Sequence, residues 1–181
     1  MRKLIETTFI TLDGVVSAPE KFAAPYFDDE YAAYARELLF TADALLLGRK
    51  TYEIFAPVWP NMEEIEGEYA VRMNTLPKYV ASRTLTDADL TWNATVINGD
   101  IAKEITRLKE QQGLNILKFS TGDLDRTLLE HKLVDEYHFW MFPAIAGTGT
   151  RLLDGLATTH LTLTKSTQLA SGVVVLTYVP K

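Results

Sequence analysis

Ala44-Leu45-Leu46-Leu47-Gly48-Arg49-Lys50-Thr51-Tyr52-Glu53 begins as a short apolar run with strand character and turns at a glycine. It then presents two adjacent cations and enters a helix through a threonine. A buried strand that ends this way places positive charge, a hydroxyl and free helix N–H groups at one sheet edge, which suits a phosphorylated ligand. Apolar runs that end in a turn are common. The tight placement of Arg49, Lys50 and Thr51 carries the information.

On the N-terminal side, residues 3–12 alternate as a strand and stop at the Asp13-Gly14 turn. Val15 to Pro25 reads as a loop. From Asp28 the period changes: Tyr31, Tyr34, Ala35, Leu38 and Leu39 share one helical face, with acidic residues at its start. On the C-terminal side, the helix that starts at Thr51 must stop near Pro57. Residues 61–75 are acidic and helical. Lys78–Ser82 and Thr95–Asn98 read as strands around a polar loop that contains Trp92. Asp100 is placed to cap a helix carrying Ile101, Ile105 and Leu108. Ile116–Phe119 is a strand that breaks at Ser120-Thr121-Gly122 into a helix with Leu124, Leu128 and Leu129. Asp135–Phe142 is aromatic on both alternating faces, as in a strand buried on both sides. Leu161–Leu169 and Val173–Val179 close the chain as a hairpin. Strands alternating with helices before a terminal antiparallel pair predict an α/β fold with a mostly parallel sheet, in one domain spanning residues 1–181.

The 181 residues suit one core, and 47% hydrophobic with 23% charged residues is ordinary for a globular protein. A net charge of −6 argues against broad nucleic-acid binding and makes any anion site local. There are no cysteines, which excludes disulfides, thiolate catalysis and cysteine-bound metal. No stretch approaches the ~20 apolar residues that span a bilayer. No membrane partner and a cytoplasmic location are expected.

Three strand ends could converge: Gly48-Arg49-Lys50-Thr51, Ala81-Ser82-Arg83-Thr84 and Ser120-Thr121-Gly122-Asp123-Leu124. In a parallel sheet such ends lie on one edge, where ligands bind. The first two pair arginine with a hydroxyl, suited to a phosphate monoester. The third places a glycine where backbone N–H groups could approach a pyrophosphate. The alternative for each is a capped, solvated turn. His131, His138 and His160 show no metal-ligand spacing, so no metal site is expected. Gly147-Thr148-Gly149 reads as a loop-shaping element, not a dinucleotide fingerprint.

LLLGRKTYE resembles the GRxTxE element of the dihydrofolate reductase superfamily, and FITLDGVV resembles that superfamily's first strand and following loop. From Trp92 to Leu153, the segments WNATVINGD, LKEQQG, FSTGDLDRTLLEHKLVDEYHFWMFP and AGTGTRLL resemble the RibD C-terminal branch, in the family's order. The resemblance implies a dihydrofolate reductase-like fold and NADPH as cofactor. It puts Gly48, Arg49, Lys50 and Thr51 at the adenosine end, with Arg49 and Lys50 near the 2′-phosphate. Ser82 and Arg83 become a second phosphate-and-adenine contact, and Ser120, Thr121, Gly122, Asp123 and Leu124 the pyrophosphate turn. Thr11 to Val16 would run beside the nicotinamide.

Two departures stand out. The family's pyrophosphate turn usually opens Gly-Ser, whereas this one opens Ser120-Thr121, with Asp123 at the helix start. The carboxylate that anchors a pterin in true dihydrofolate reductases falls near Ala32 in ungapped register. The catalytic acid is therefore left unassigned, with Asp13 and Glu30 as candidates. Asp13, Tyr52, Phe55 and Trp59 are the candidate substrate contacts, the three aromatics as walls for a flat ring.

The expected function is an NADPH-dependent reductase that transfers hydride to a small pterin- or pyrimidine-like heterocycle. The alternatives are the 5-amino-6-(5-phosphoribosylamino)uracil reductase of riboflavin biosynthesis, a non-catalytic nucleotide-binding protein of the same fold, and a dimeric scaffold. A small-molecule substrate and a homodimer are the partners the resemblance implies.

Overall fold

The strand predicted around Leu45–Leu47 is β2, Ala42–Gly48. It lies inside the protein, with Ala42, Ala44, Leu45, Leu46 and Leu47 all buried. A run without polar alternation needs cover on both faces and a ladder on both edges. β2 has those ladders in parallel with β3 (Lys78–Ala81) on one side and β5 (Asn115–Phe119) on the other. β4 (Ala94–Ile97) adds in parallel to β3. The strand order is therefore β4-β3-β2-β5.

The computed structural model describes residues 1–181. Its contacts gather into two compact units, Met1–Leu4 with Arg36–Phe119, and Ile5–Ala35 with Ser120–Lys181. The four strands above belong to the first. α2 (Arg49–Phe55) follows β2 directly and begins two residues before Thr51, so Arg49 and Lys50 sit in its first turn and Gly48 is its N-cap. The acidic stretch expected as one helical segment is two helices, α3 (Glu63–Glu66) and α4 (Glu68–Thr75). The break is Gly67, whose φ of +53° is left-handed and ends the first helix. α5 (Ile101–Glu110) starts as expected: Asp100 Oδ1 accepts the Lys103 N–H at 3.0 Å, and Ala102, Ile105 and Leu108 form its buried face.

A bulge in β2 shifts the register against β5 between Ala42 and Ala44. Asp43 at this bulge forms an ion pair with the buried Arg2 and accepts the Leu114 N–H at 2.8 Å. Arg2 Nε donates to the Leu114 carbonyl at 2.8 Å, closing the cluster. Gly113 threads past it with φ +152°, and a Cβ there would collide with the Asp43 carboxylate.

In the second unit the order is β1-β6-β8-β7. β1 (Leu4–Thr11) and β6 (Glu136–Phe142) are parallel. β7 (Leu161–Gln168) and β8 (Val174–Pro180) form the antiparallel closing hairpin, with β8 also antiparallel to β6. β6 has buried aromatics on both faces, as its sequence predicted. On one face Trp140 and Phe142 pack with Phe22, Ala23, Leu169, Val173 and Val175, and the Trp140 indole N–H donates to Thr7 Oγ1 at 2.8 Å. Tyr31 and Tyr34 of α1 (Asp29–Phe40) pack on that face. Tyr34 also meets His138 Nδ1 at 3.1 Å, while Glu136 holds the other ring nitrogen at 2.7 Å. On the opposite face Tyr137 stacks on Phe139. α6 (Leu124–Glu130) completes the elements. The stretch expected as a plain loop before α1 contains two single-turn 3-10 helices, Pro19–Lys21 and Ala24–Tyr26, each with proline in its first turn. The arrangement is the α/β fold expected, with mostly parallel strands, flanking helices and an antiparallel pair at the end. No helix is long and apolar enough to cross a membrane.

Replacing Gly113 with alanine should push the Asp43 carboxylate off Leu114 and Arg2. Asp43 is about one-third exposed, so weakening its bonds to Leu114 and Arg2 costs about 2 kcal/mol, and Gly113→Ala should lower the free energy of unfolding by at least that amount in a urea titration. Gly99→Ala serves as the comparison, at a left-handed φ of +68° with nothing within 4 Å of its Cβ position. It should lose only the backbone cost of that conformation, about 1 kcal/mol.

Candidate functional site

In the first unit Gly48 and Ala81 are register partners, so β2 and β3 end level and the chain leaves the ladder at Arg49 and Ser82. Ser82 is buried, and its N–H donates to the Ile97 carbonyl at 3.2 Å. Its hydroxyl accepts the N–H of Thr84 at 3.2 Å and of Leu85 at 3.0 Å, which folds the segment after β3 back on itself. Arg49 Nη1 then donates to Thr84 Oγ1 at 3.1 Å. Arg49 Nε lies 3.5 Å from Glu53 Oε1, one helical turn on, with both side chains about half exposed. Lys50 and Arg83 are exposed.

These contacts join Arg49, Ser82 and Thr84, with Gly48, Lys50, Thr51 and Arg83 next to them along the chain. The donor set is guanidinium, ammonium and hydroxyl, which fits a phosphate dianion. The exposed Arg49–Glu53 pair is worth little, so it offers weak competition to an incoming anion.

The three aromatics sit elsewhere in this unit's packing. Tyr52 is buried, and its hydroxyl accepts the Thr91 N–H at 2.8 Å. Phe55 meets Phe119 and Trp59 edge-on, at 5.8 and 6.1 Å between centroids. Trp59 leans on Tyr69, whose phenol is pushed up by burial and, secondarily, by Glu66. Phe55 and Trp59 thus remain half-buried members of one aromatic strip, while Tyr52 presents no open face.

In the second unit, Asp13 is the centre of a loop clasp. Its carboxylate accepts from Thr11 Oγ1 at 2.6 Å, from Ala146 N at 3.0 Å and from Gly147 N at 2.8 Å. Those bonds, the Thr11 hydroxyl foremost, lower its pKa to about 2. An acid of that strength stays ionised near neutrality and holds no proton to donate. Arg151 donates to the Asp13 carbonyl. Val16 N donates to Thr150 O at 2.9 Å, and Leu152 N to Gly14 O at 2.8 Å. Gly149 lies so close to Val15 and Ser17 that a Cβ would collide with both. Gly147-Thr148-Gly149 therefore shapes a loop joined to the segment after β1, as its sequence context indicated.

Glu30, the other candidate acid, accepts the Ala170 N–H at 2.7 Å from the first turn of α1. Asp28 caps the same helix through the Tyr31 N–H at 2.7 Å, and Ala32 is exposed. After β5, Ser120 N donates to Thr7 O at 2.8 Å. Ser120 has φ +66°, the left-handed conformation that glycine adopts without strain and that the family's usual glycine would suit. Gly122 N donates to the carboxylate of the buried Asp125, in the first turn of α6. That carboxylate takes the N–H expected to approach a pyrophosphate. Asp125 was missed because it sits among helical leucines; the Gly-x-x-Asp spacing, akin to a capping box, is the signal that could have found it. Asp123 is the residue before α6, Leu124 is its first residue, and Thr121 is half-buried. No group of three or more histidine, aspartate or glutamate side chains is placed to hold a metal.

Residues 2–175 match the family model of the RibD C-terminal domain. The chain is 28% identical over 180 residues to the uncharacterized protein YyaP of Bacillus subtilis, covering 98% of this chain and 94% of that one. A provisionally assigned riboflavin biosynthesis protein from Shewanella sp. PV-4 superimposes with a TM-score of 0.73 at 22% identity, covering 99% of each chain. The diaminohydroxyphosphoribosylaminopyrimidine deaminase/5-amino-6-(5-phosphoribosylamino)uracil reductase of Thermotoga maritima gives a TM-score of 0.69 at 13% identity, with 99% of this chain covering 57% of that one. These likenesses show the dihydrofolate reductase-like fold.

The Asp13 clasp has a pH signature. Its folded value of about 2 lies below the ordinary 3.8, so the clasp is fully formed above about pH 4 and is lost as pH falls toward 2. The NMR amide signals of Ala146 and Gly147 should titrate with a midpoint near 2 in the wild type. In Asp13→Asn they should lose that transition.

Proposed function

We propose that this chain, which belongs to the RibD C-terminal domain family, is an oxidoreductase that uses NADPH to reduce a small pterin- or pyrimidine-like heterocycle. The observation that carries the cofactor choice is the Arg49–Thr84 contact at the level ends of β2 and β3. It joins Arg49 to Thr84 and the Ser82 turn, and Lys50 and Arg83 are the next cations along the chain. A ribose 2′-phosphate is the part of NADPH that such a set reads, because NADH lacks the charge that the cations would meet.

Bound NADPH supplies the hydride. Arg49, with its planar fork, would make two hydrogen bonds to the phosphate, and Lys50 and Arg83 would neutralise its second charge. Thr84 Oγ1, which already accepts from Arg49, would turn its own proton toward the anion. The Ser82 hydroxyl, committed to Thr84 N and Leu85 N, would keep the segment in shape. Asp13 stays a carboxylate and orders its loop, so any proton for the substrate comes from another donor. The heterocycle class is inferred from the family and from the pyrimidine chemistry in the name of the Thermotoga maritima neighbour. The uracil reductase of riboflavin biosynthesis is the narrower form of the same reading.

Calorimetry with NADPH and NADH tests the cofactor end. A charge-assisted hydrogen bond is worth about 1.5–3 kcal/mol, roughly 10- to 100-fold in affinity. Arg49→Ala should weaken NADPH by that factor and leave NADH nearly unchanged. Failure of the wild type to bind either nucleotide would overturn the reading. NADPH consumption across a panel of pterins and pyrimidines would then identify the substrate.

A further inference from the structure

The segment between β3 and β4 carries Arg83 and Thr84, yet it has little regular structure of its own. Its one element is a 3-10 turn, Asp87–Asp89, closed by a capping box in which Thr86 and Asp89 bond each other reciprocally. Thr86 also holds the Asp89 carboxyl below its usual range. At the far end, Trp92 and Asn93 are both left-handed, with φ of +59° and +52°. That conformation strains a bulky residue, so surrounding bonds must hold it. Trp92 Nε1 donates to Asn74 Oδ1 at 2.7 Å, the Lys78 ammonium lies 4.2 Å above the indole ring, and Asn93 Nδ2 donates to Thr75 O at 3.0 Å.

α2 grips this segment at two points, one helical turn apart. Arg49 holds Thr84 near its start, through a half-exposed guanidinium that an arriving anion would draw away. Tyr52 holds Thr91 near its end. The Tyr52 ring is buried at 5% exposure, and its hydroxyl accepts the Thr91 N–H at 2.8 Å with the Thr91 carbonyl 3.4 Å away. This second grip carries no charge and is made by a buried ring, so an anion at Arg49 does not compete for it.

We infer that Tyr52 is a positioning residue for phosphate recognition: through Thr91 it fixes the segment that carries Arg83 and Thr84 against the helix that carries Arg49. This rests on the cofactor reading above and replaces the expectation that Tyr52 lines a substrate pocket. A residue with that role governs selectivity for the 2′-phosphate, because Arg83 and Thr84 are the groups this segment offers to that phosphate. Its removal leaves the rest of the nucleotide's binding intact.

Tyr52→Phe keeps the ring and deletes only the hydroxyl. The loss of one partly buried hydrogen bond, about 1 kcal/mol, corresponds to roughly fivefold. Calorimetry should show NADPH binding weakened by about that factor, with NADH unchanged. In an Arg83→Ala, Thr84→Val background, Tyr52→Phe should weaken NADPH no further, because its effect runs through those residues. Circular dichroism of each variant confirms that it is folded. Equal loss of NADPH and NADH, no loss of NADPH, or a loss that persists in the double-variant background would each overturn the inference. Arg49→Ala separates the two levels. If it weakens NADPH selectively and Tyr52→Phe does not, the Tyr52 role fails alone. If Arg49→Ala changes nothing, the cofactor reading fails and takes this role with it.

Discussion

The first unit depends on the burial of β2. An apolar run flanked by parallel strands on both edges cannot slide by one residue without breaking both ladders, so its C-terminal end is fixed to within one residue. Everything at the candidate phosphate site follows from that end. Because Gly48 and Ala81 are partners, the chain turns out of β2 and β3 at the same level, and Arg49 meets Thr84 across the gap. The bulge at Asp43 serves the same strand at its other end, letting one carboxylate leave the apolar run to join Arg2 and Leu114.

The second unit is organised by carboxylates bound to backbone N–H groups. Asp13 ties the segment after β1 to the segment after β6, Glu30 ties α1 to the turn of the closing hairpin, and Asp125 takes the N–H of Gly122. Each such bond is charge-assisted and stabilises the carboxylate form. Asp13 and Glu30, the two candidate acids, are thus engaged in structural ties.

Strand and helix order was legible in the sequence because periodicity reports burial directly, as with the alternating aromatics of β6 and the helical face from Tyr31 to Leu39. Boundaries failed where one residue's backbone decided them. Gly67 split an acidic helix in two, and α2 began at Arg49 because glycine before it served as the N-cap. Among the candidate site residues, Arg49 and Ser82 were legible as strand-end groups, and the structure places both at the level ends of β2 and β3. Tyr52 was misleading. An aromatic near a ligand site reads as a ring contact, and only the Thr91 bond shows what its hydroxyl does.

The sequence by itself determined the α/β order, the family and the cationic turn, since each rests on local spacing along the chain. The tertiary structure alone decided which polar groups were already engaged. Asp13 with Ala146, Glu30 with Ala170 and Tyr52 with Thr91 are partners separated by dozens of residues or more. No local pattern encodes such a bond, because its geometry exists only once the strands have set the loops side by side.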